Sequence, residues 1–302
     1  MVFVFEQVLI LFIFAAVGYA LSEFKIVKHE HSTILSRLLV YVFLPANSIK
    51  AFSKNCTVDY ISNNYKIVIA SSVVVIVLAV SMHFAAKLFS SDGYERSVYE
   101  YYLVMQNYGY MGYAVAEAVF GEIGLINAYV FAIPMSVYVY SIGYCILSKK
   151  KLSLRGFLNP AIISMLIGMA LGLSGLGAKT PELIGSILDK ASNCMAPVSM
   201  LLAGIVVSEF NAKKILSSYR IYIVAALRLL VIPVAIGAAL YAVGFSEIAP
   251  VAILLYAMPC GLNTVVFPKN VGENCEIGAG LALVSNIAVC ITVPLVFMIF
   301  GI

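Results

Sequence analysis

Two stretches of this sequence place glycine or proline beside asparagine inside long apolar segments. The first is Asn107-Tyr-Gly-Tyr-Met-Gly112, and the second is Met258-Pro-Cys-Gly-Leu-Asn263. Glycine weakens a helix by about 1 kcal/mol relative to alanine, and proline removes a backbone donor and clashes with the preceding turn. We therefore predict two membrane helices that each break in the middle, with an amide side chain beside the break.

Two such breaks predict a binding site. A bilayer tolerates loosened backbone only where it is buried in protein or lines a cavity, and paired breaks in two halves of a chain mark the midplane site of many transporters. If the breaks cross, the positive N-terminal ends of the half-helices can hold a carboxylate. The predicted substrate-binding residues are Asn107, Gly109, Gly112, Pro259, Gly261 and Asn263.

Each of these residues also has a purely structural interpretation. Gly109 and Gly112 permit close helix packing, as small residues often do in membranes. Pro259 kinks an otherwise ordinary helix. Asn107 and Asn263 each make a hydrogen bond between helices.

Prolines in two other apolar segments are candidates for the wall of this site. Pro45 is followed by Asn47, and Pro197 is followed by Ser199. We predict that these four residues shape the surface facing the bound substrate. The alternative is that both prolines only kink their helices.

Charged residues inside apolar segments need a partner or water, because a charge at the bilayer centre costs at least about 2.5–3.5 kcal/mol. Glu100 lies seven residues before Asn107 on a similar helical face, about 10 Å away, and is the candidate carrier of a coupling proton. A sodium ion at unwound carbonyls, or no coupling ion, remains open. Glu6, Glu117 and Arg228 lie near predicted helix ends, where we expect them to reach water.

The cysteines indicate neither a metal nor a cofactor. All six lack CxxC or Cys/His metal spacing. Four lie in apolar segments, where a buried cysteine behaves as a small hydrophobic residue.

The composition is that of a membrane protein with many spans. Hydrophobic residues make up 62% of the 302 residues and charged residues only 11%, against about 25% charged in a soluble domain. Spanning helices need about 20 apolar residues. The ten predicted spans are 3–21, 33–53, 65–88, 97–120, 124–148, 157–177, 186–208, 219–243, 248–268 and 276–300. Because linkers are short, we expect one membrane domain over 1–302, which contacts the lipid bilayer and no nucleic acid.

Three matches between the halves indicate an internal repeat. The matching pairs are Gly18 with Gly168, Pro45 with Pro197, and Gly121 with Gly272, at offsets of 150, 152 and 151. We therefore predict a first repeat over about 1–150 and a second over about 151–302. Five helices per half is an odd number, so the second half enters the membrane in the opposite sense, as in many transporters.

Several motifs together resemble the auxin efflux carrier family, which includes bacterial malate and malonate permease-like proteins and plant auxin carriers. They are Leu44-Pro45-Ala46, the stretch from Asn107 to Gly112, Phe120-Gly121, Leu158-Asn159-Pro160, Ala196-Pro197, Arg228 to Pro233, Met258-Pro259 and Asn263. The order and spacing of these motifs resemble those of the family over nearly the whole chain. The family usually has a proline soon after Gly112, but Tyr113-Ala114-Val115 follows here, so the first break would depend on Gly109 and Gly112 alone.

The resemblance implies an all-α membrane protein with ten transmembrane helices in two inverted five-helix repeats. Predicted helices 1, 2, 6 and 7 would form a scaffold, whereas helices 3–5 and 8–10 would form a transport domain in which helices 4 and 9 cross at the substrate site. It also implies a small organic anion (a mono- or dicarboxylate, or an auxin-like acid), elevator-type movement, and a homodimer through the scaffold. The short loop between predicted helices 5 and 6 lacks the large regulatory insertion of the plant carriers.

The sequence leaves several alternatives to an organic-anion transporter. A sodium-coupled symporter of the bile-acid type and an ion-translocating protein share the implied architecture. An intramembrane enzyme would need a Ser/His, paired-Asp or metal constellation at membrane depth, and only His83 lies there. A membrane sensor would need a soluble output segment, and the sequence ends directly after predicted helix 10.

Positive charge predicts the orientation, because cytoplasmic loops carry excess Lys and Arg. Loops after odd-numbered predicted helices hold 12 of the 19 Lys and Arg residues, whereas loops on the other face hold four. We therefore expect both termini on the extracytoplasmic side of the cell membrane.

In a cysteine-free background, Lys179→Cys should react with a membrane-impermeant thiol reagent in intact cells and Lys150→Cys should not; the reverse pattern would contradict this orientation.

Overall fold

The computed structural model describes residues 2–150, 160–210, 218–269 and 271–302, and these ranges contain helices and no strand. The described α-helices are α1 Val2–Glu23, α2 Ser32–Leu38, α3 Leu44–Asn55, α4 Val58–Ala85, α5 Gly93–Val104, α6 Tyr113–Tyr138, α7 Tyr144–Ser148, α8 Pro160–Leu173, α9 Glu182–Ser208, α10 Tyr219–Ala226, α11 Ile232–Ala242, α12 Ala249–Ala257, α13 Asn263–Lys269 and α14 Glu276–Phe300. Wider π-helical turns occupy Leu39–Phe43, Tyr108–Gly112, Val139–Gly143 and Leu227–Val231, and 3-10 turns occupy His29–His31, Ala86–Leu88 and Gly177–Lys179.

Seven helical stretches in the described ranges are long and apolar enough to cross a membrane. They are Phe5–Glu23, Ser32–Asn55, Val58–Leu88, Gly93–Ser148, Glu182–Ser208, Tyr219–Ala242 and Glu276–Phe300. The shorter apolar helix α8 accompanies them. The described residues are mostly helical, and the prediction of an all-helical protein with several membrane-length apolar helices is therefore confirmed.

The longest stretch, Gly93–Ser148, folds back on itself at Gly121. This glycine has φ 68° and ψ −164°, a conformation that side chains with a Cβ rarely adopt. Beyond it the chain returns beside the first arm, because the Tyr94 hydroxyl donates to the Leu147 carbonyl (2.9 Å) and the Tyr108 hydroxyl lies 3.0 Å from the Ser136 hydroxyl. The turn falls between the predicted spans 97–120 and 124–148.

Two helix pairs pack with their backbones in direct contact. A Cβ atom added to Gly18 would lie 2.1 Å from the Leu201 carbonyl oxygen, and one added to Gly204 would lie 1.9 Å from the Ala15 carbonyl oxygen. Glycines likewise bring α8 against α3, where a Cβ at Gly172 would lie 2.5 Å from the Phe52 oxygen. Small residues allow such close approach between membrane helices, where dispersion contacts drive association.

Some sequence predictions fall on residues outside the described ranges. These are the motif residues Leu158 and Asn159, the first three positions of the predicted span 157–177, and the loop charges Lys151, Arg155, Lys213 and Lys214.

The close contact of α1 with α9 predicts a strong position effect for glycine replacement. Gly204→Ala should force the two helices apart, since its Cβ meets backbone atoms, and should destabilise the protein by about 1–3 kcal/mol. Gly185→Ala is the matched control in α9, because a Cβ there meets nothing within 4 Å and alanine improves helix propensity. Apparent unfolding temperatures in detergent compare the two, and equal values would contradict the packing.

Candidate functional site

Two helices are interrupted, at the two places that the sequence singles out. The first ends at Val104, after which Met105 is extended (φ −120°, ψ 145°) and the helix resumes only at Tyr108. The second ends at Ala257, after which Met258 is extended (φ −68°, ψ 152°) and the helix resumes at Asn263. Each interruption leaves backbone groups that need partners outside their own helix.

The interruptions meet and bond to each other. The backbone N–H of Asn107 donates to the carbonyl oxygen of Pro259 at 2.8 Å. A Cβ on Gly261 would lie 3.4 Å from the Gln106 carbonyl oxygen, and one on Gly112 would lie 2.9 Å from a methyl group of Leu255. The two interrupted segments therefore contact each other, and we call this contact the crossing.

The first break lies earlier than the glycines that predict it. It occupies residues 105–107, whereas Gly109 and Gly112 lie in the π-helical turn that follows. The break therefore lies just before these glycines rather than at them, and the backbone N–H that it releases at Asn107 bonds to Pro259 in the second segment. The proline that the family usually carries is thus not needed for a complete break here.

The two predicted amide residues hold different parts of the crossing. The Asn107 side-chain oxygen accepts from the backbone N–H of Tyr110 at 3.3 Å and so caps the resuming helix. The side-chain nitrogen of Asn263 donates to the Tyr101 hydroxyl at 2.9 Å. This second bond joins α13 to α5, as the helix–helix interpretation of Asn263 expects.

A cavity of about 80 Å³ opens beside the crossing. Four predicted binding residues line it, namely Asn107, Gly109, Gly261 and Asn263. The other lining residues include Leu44, Ser48, Gln106, Tyr108, Tyr110, Tyr113, Tyr129, Ser136, Tyr140, Ala161 and Met165. Gly112 and Pro259 instead contribute close backbone packing behind the cavity.

Tyrosine is the lining residue that the sequence analysis missed. Five tyrosines surround the cavity, and Tyr113 stacks on Tyr129 with ring centroids 4.0 Å apart. Three of the five fall within residues 108–113, so the density of tyrosine around the first break is a signal that was available. Their hydroxyls and rings give the cavity both hydrogen-bonding groups and apolar faces.

The predicted wall residues lie one layer away from this cavity. Asn47 accepts a 2.8 Å hydrogen bond from the hydroxyl of the lining residue Tyr129. Asn47 and Pro197 line a second cavity, the Ser199 hydroxyl donates to the Ala196 carbonyl, and Pro45 begins α3. Helix α3 contributes Leu44 and Ser48 to the main cavity instead.

Four charged residues of the predicted spans differ in their burial and in their partners. Glu100 is buried on α5, with a carboxylate oxygen 3.1 Å from Nδ1 of His83. Glu6 is exposed, and Glu117 lies 3.5 Å from the Lys50 ammonium. Arg228 is 0% exposed, so the expectation that it reaches water is wrong. It lies in the middle of the apolar stretch Tyr219–Ala242 rather than near an end.

Arg228 binds both interrupted segments. One guanidinium nitrogen (Nη1) donates to the Tyr256 carbonyl oxygen, in the last turn of α12, and the other (Nη2) donates to the Gln106 side-chain oxygen at 2.6 Å. Arg228 therefore ties the second break to the first from behind the cavity.

Apolar helices with two interrupted segments that meet beside a cavity are typical of membrane transport proteins. The sequence profile of the family described as "Membrane transport protein" matches residues 3–154 and again residues 146–298. The chain therefore belongs to this family, the auxin efflux carrier family that its motifs resemble.

Two curated relatives are themselves described only as uncharacterized transporters. One, from Methanocaldococcus jannaschii, is 28% identical over 124 residues, which is 41% of this chain and 40% of that protein. The other, from Methanothermobacter thermautotrophicus, is 20% identical over 297 residues, which is 96% of each chain. The second match spans both interrupted helices, whereas the first covers about two fifths of its protein.

The cap at the first break predicts a graded effect of substitutions. Asn107→Ala removes the acceptor for the Tyr110 N–H and should destabilise the protein by about 1 kcal/mol. Asn107→Ser keeps a side-chain oxygen and should recover part of that loss. Apparent unfolding temperatures measure both variants, and an alanine variant as stable as the wild type would show that the cap contributes nothing.

Proposed function

We propose that this protein is a secondary transporter that moves a small organic anion across the cell membrane by elevator-type alternating access. The observation that carries the proposal is the bond between the two broken segments, Asn107 N–H to Pro259, beside a cavity lined by amide, hydroxyl and tyrosine side chains. A site held by two broken helices can be presented to either side of a membrane when the group of helices that carries it moves against the rest.

The lining of the cavity supports an organic acid as the substrate. No acidic side chain lines it in the part of the chain described here, so a carboxylate meets no repulsion. Asn107, Asn263 and Ser48 offer neutral polar groups for the carboxylate. The tyrosine rings offer apolar contact for the remainder of the molecule. These features fit a mono- or dicarboxylate, as in the malate and malonate permease branch, or an auxin-like acid.

Ten transmembrane helices in two inverted repeats are part of this proposal. The family profile matches the chain once in each half, which supports two repeats. The backbone contacts join α1 with α9 and α3 with α8, and these correspond to the predicted scaffold helices. We propose that this group stays fixed while predicted helices 3–5 and 8–10 carry the crossing past it, with both termini on the extracytoplasmic side and the scaffold forming a homodimer.

Ion pairs between the two proposed groups are compatible with such movement. The Lys54 ammonium lies 2.6 Å from Glu122, and the Lys269 ammonium lies 2.5 Å from Glu209. Each pair joins a scaffold helix end to the end of a crossing segment. Pairs with an exposed lysine contribute only about 0–1 kcal/mol, so they can break and re-form as the groups slide.

We expect binding of a carboxylate to stabilise the purified protein. A ligand that binds only the folded state adds RT ln(1 + [L]/Kd) to its stability. The screen tests malate, malonate, succinate, lactate, indole-3-acetate and bile acids by thermal shift, with and without sodium and at two pH values. Sodium dependence would favour the bile-acid type of symport, and pH dependence would favour a proton on Glu100. Stabilisation by none of the acids would overturn the anion proposal.

The assignment of the binding residues is tested with the acid that the screen identifies, by measuring its uptake into liposomes that contain the protein. Asn263→Ala should lower affinity for that acid, since it removes a cavity amide. Asn55→Ala is the matched control, because Asn55 bonds to the Ala51 carbonyl at the end of α3 and lies outside the cavity. Unchanged affinity in a folded Asn263→Ala protein would refute the role of this asparagine.

A further inference from the structure

Arg228 is a buried charge that lacks an acidic partner. It is fully buried, and in the described part of the chain no carboxylate forms an ion pair with it. The titratable groups that act on the guanidinium are Tyr102, Tyr256 and Cys260, and all three are neutral in their ordinary form. A charge at this depth is costly unless something compensates it, and such residues usually mark a substrate or ion pathway.

Arg228 has its hydrogen-bond partners at the crossing. It donates to a carbonyl in the last turn of α12, where the helix end carries partial negative charge, and to the side chain of Gln106, two residues beyond the end of α5. The guanidinium donates to the Tyr256 carbonyl and lies 5.4 Å from the centroid of the Tyr256 ring. These dipoles compensate only part of a full charge, and the Nε atom of Arg228 has no hydrogen-bond partner. The crossing therefore keeps positive charge while the cavity is empty.

Gln106 links this charge to the cavity. Its side-chain oxygen accepts from Arg228 at 2.6 Å, and Gln106 also lines the cavity. Because a guanidinium carries donors and no acceptor, it fixes the oxygen of the Gln106 amide toward itself. The amide nitrogen is left to donate to the Met135 sulfur at 4.0 Å, which is a weak acceptor.

We propose that Arg228 is the positioning residue that makes the cavity select anions over neutral molecules of the same shape. It acts in two ways, by placing fixed positive charge one side chain behind the cavity and by presenting the Gln106 amide as a donor. The inference rests on the proposed function. It specifies that the site distinguishes substrates by their negative charge. An anion in the cavity supplies the compensation that the buried guanidinium lacks.

The test compares acids with their uncharged amides. The pairs are malonate with malonamide, lactate with lactamide, and indole-3-acetate with indole-3-acetamide, and the readout is the ratio of amide to acid Kd from thermal shift. Wild type should prefer at least one acid. Arg228→Gln should lower that preference by about tenfold or more, chiefly through weaker acid binding. Arg228→Lys keeps the charge and should keep most of the preference.

A purely structural role for Arg228 would give a different result, because it would lower the unfolding temperature and leave the ratio unchanged. That outcome in folded Arg228→Gln would overturn the inference. If Arg228→Gln does not fold, Gln106→Glu replaces it, since the new carboxylate pairs with the guanidinium at the 2.6 Å position and cancels its charge. Retained acid preference in Gln106→Glu would likewise overturn the inference.

The two proposals fail in distinguishable ways. If wild type binds none of the three acids, the proposed function fails and the role of Arg228 fails with it. If wild type binds acids and amides equally, an anion-selective role for Arg228 is wrong while a transport function stands. Asn55→Ala, remote from the cavity, should reproduce the wild-type ratio and controls for general effects of substitution.

Discussion

The rest of this structure depends on one constraint, which is that two broken helices must satisfy each other's free backbone hydrogen-bonding groups. Each break releases backbone N–H and C=O groups, and the interior of a bilayer offers no water to satisfy them. Here the Asn107 N–H donates to Pro259, while Arg228 holds the Tyr256 carbonyl and the Gln106 side chain together. Neither interrupted helix could lie in a membrane without the other, so the binding cavity and the crossing are one structural unit.

The surroundings of this unit differ in how tightly they pack. Glycines bring the backbones of α1 and α9 into contact, which leaves little room for sliding. Between α3 and α6 the contacts are made by side chains, as in the buried bond of Tyr129 to Asn47 and the exposed pair of Lys54 with Glu122. Backbone contact resists displacement, whereas flexible exposed ion pairs do not. This contrast agrees with the proposed division of the protein into a fixed and a moving group.

The chemistry of the cavity follows from what lines it and what lies behind it. Amides, hydroxyls and tyrosine rings accept many small molecules, so they do not by themselves choose a charge. The guanidinium of Arg228 lies one side chain further back and bonds to the lining residue Gln106. In the role that we propose for Arg228, its charge selects by electrostatic potential and the lining residues select by shape.

The sequence by itself determined that this is an apolar helical membrane protein, and it located the second break, because Pro259 and Gly261 disrupt a helix through their own covalent structure. Only the tertiary structure decided the first break. Residues 105–107 contain neither glycine nor proline, and the backbone N–H that their break releases at Asn107 is satisfied by Pro259 in another segment. The burial of Arg228 was decided in the same way. Local propensity can be read from one stretch of chain, whereas a hydrogen bond across 122 or 152 residues exists only once both ends are folded together.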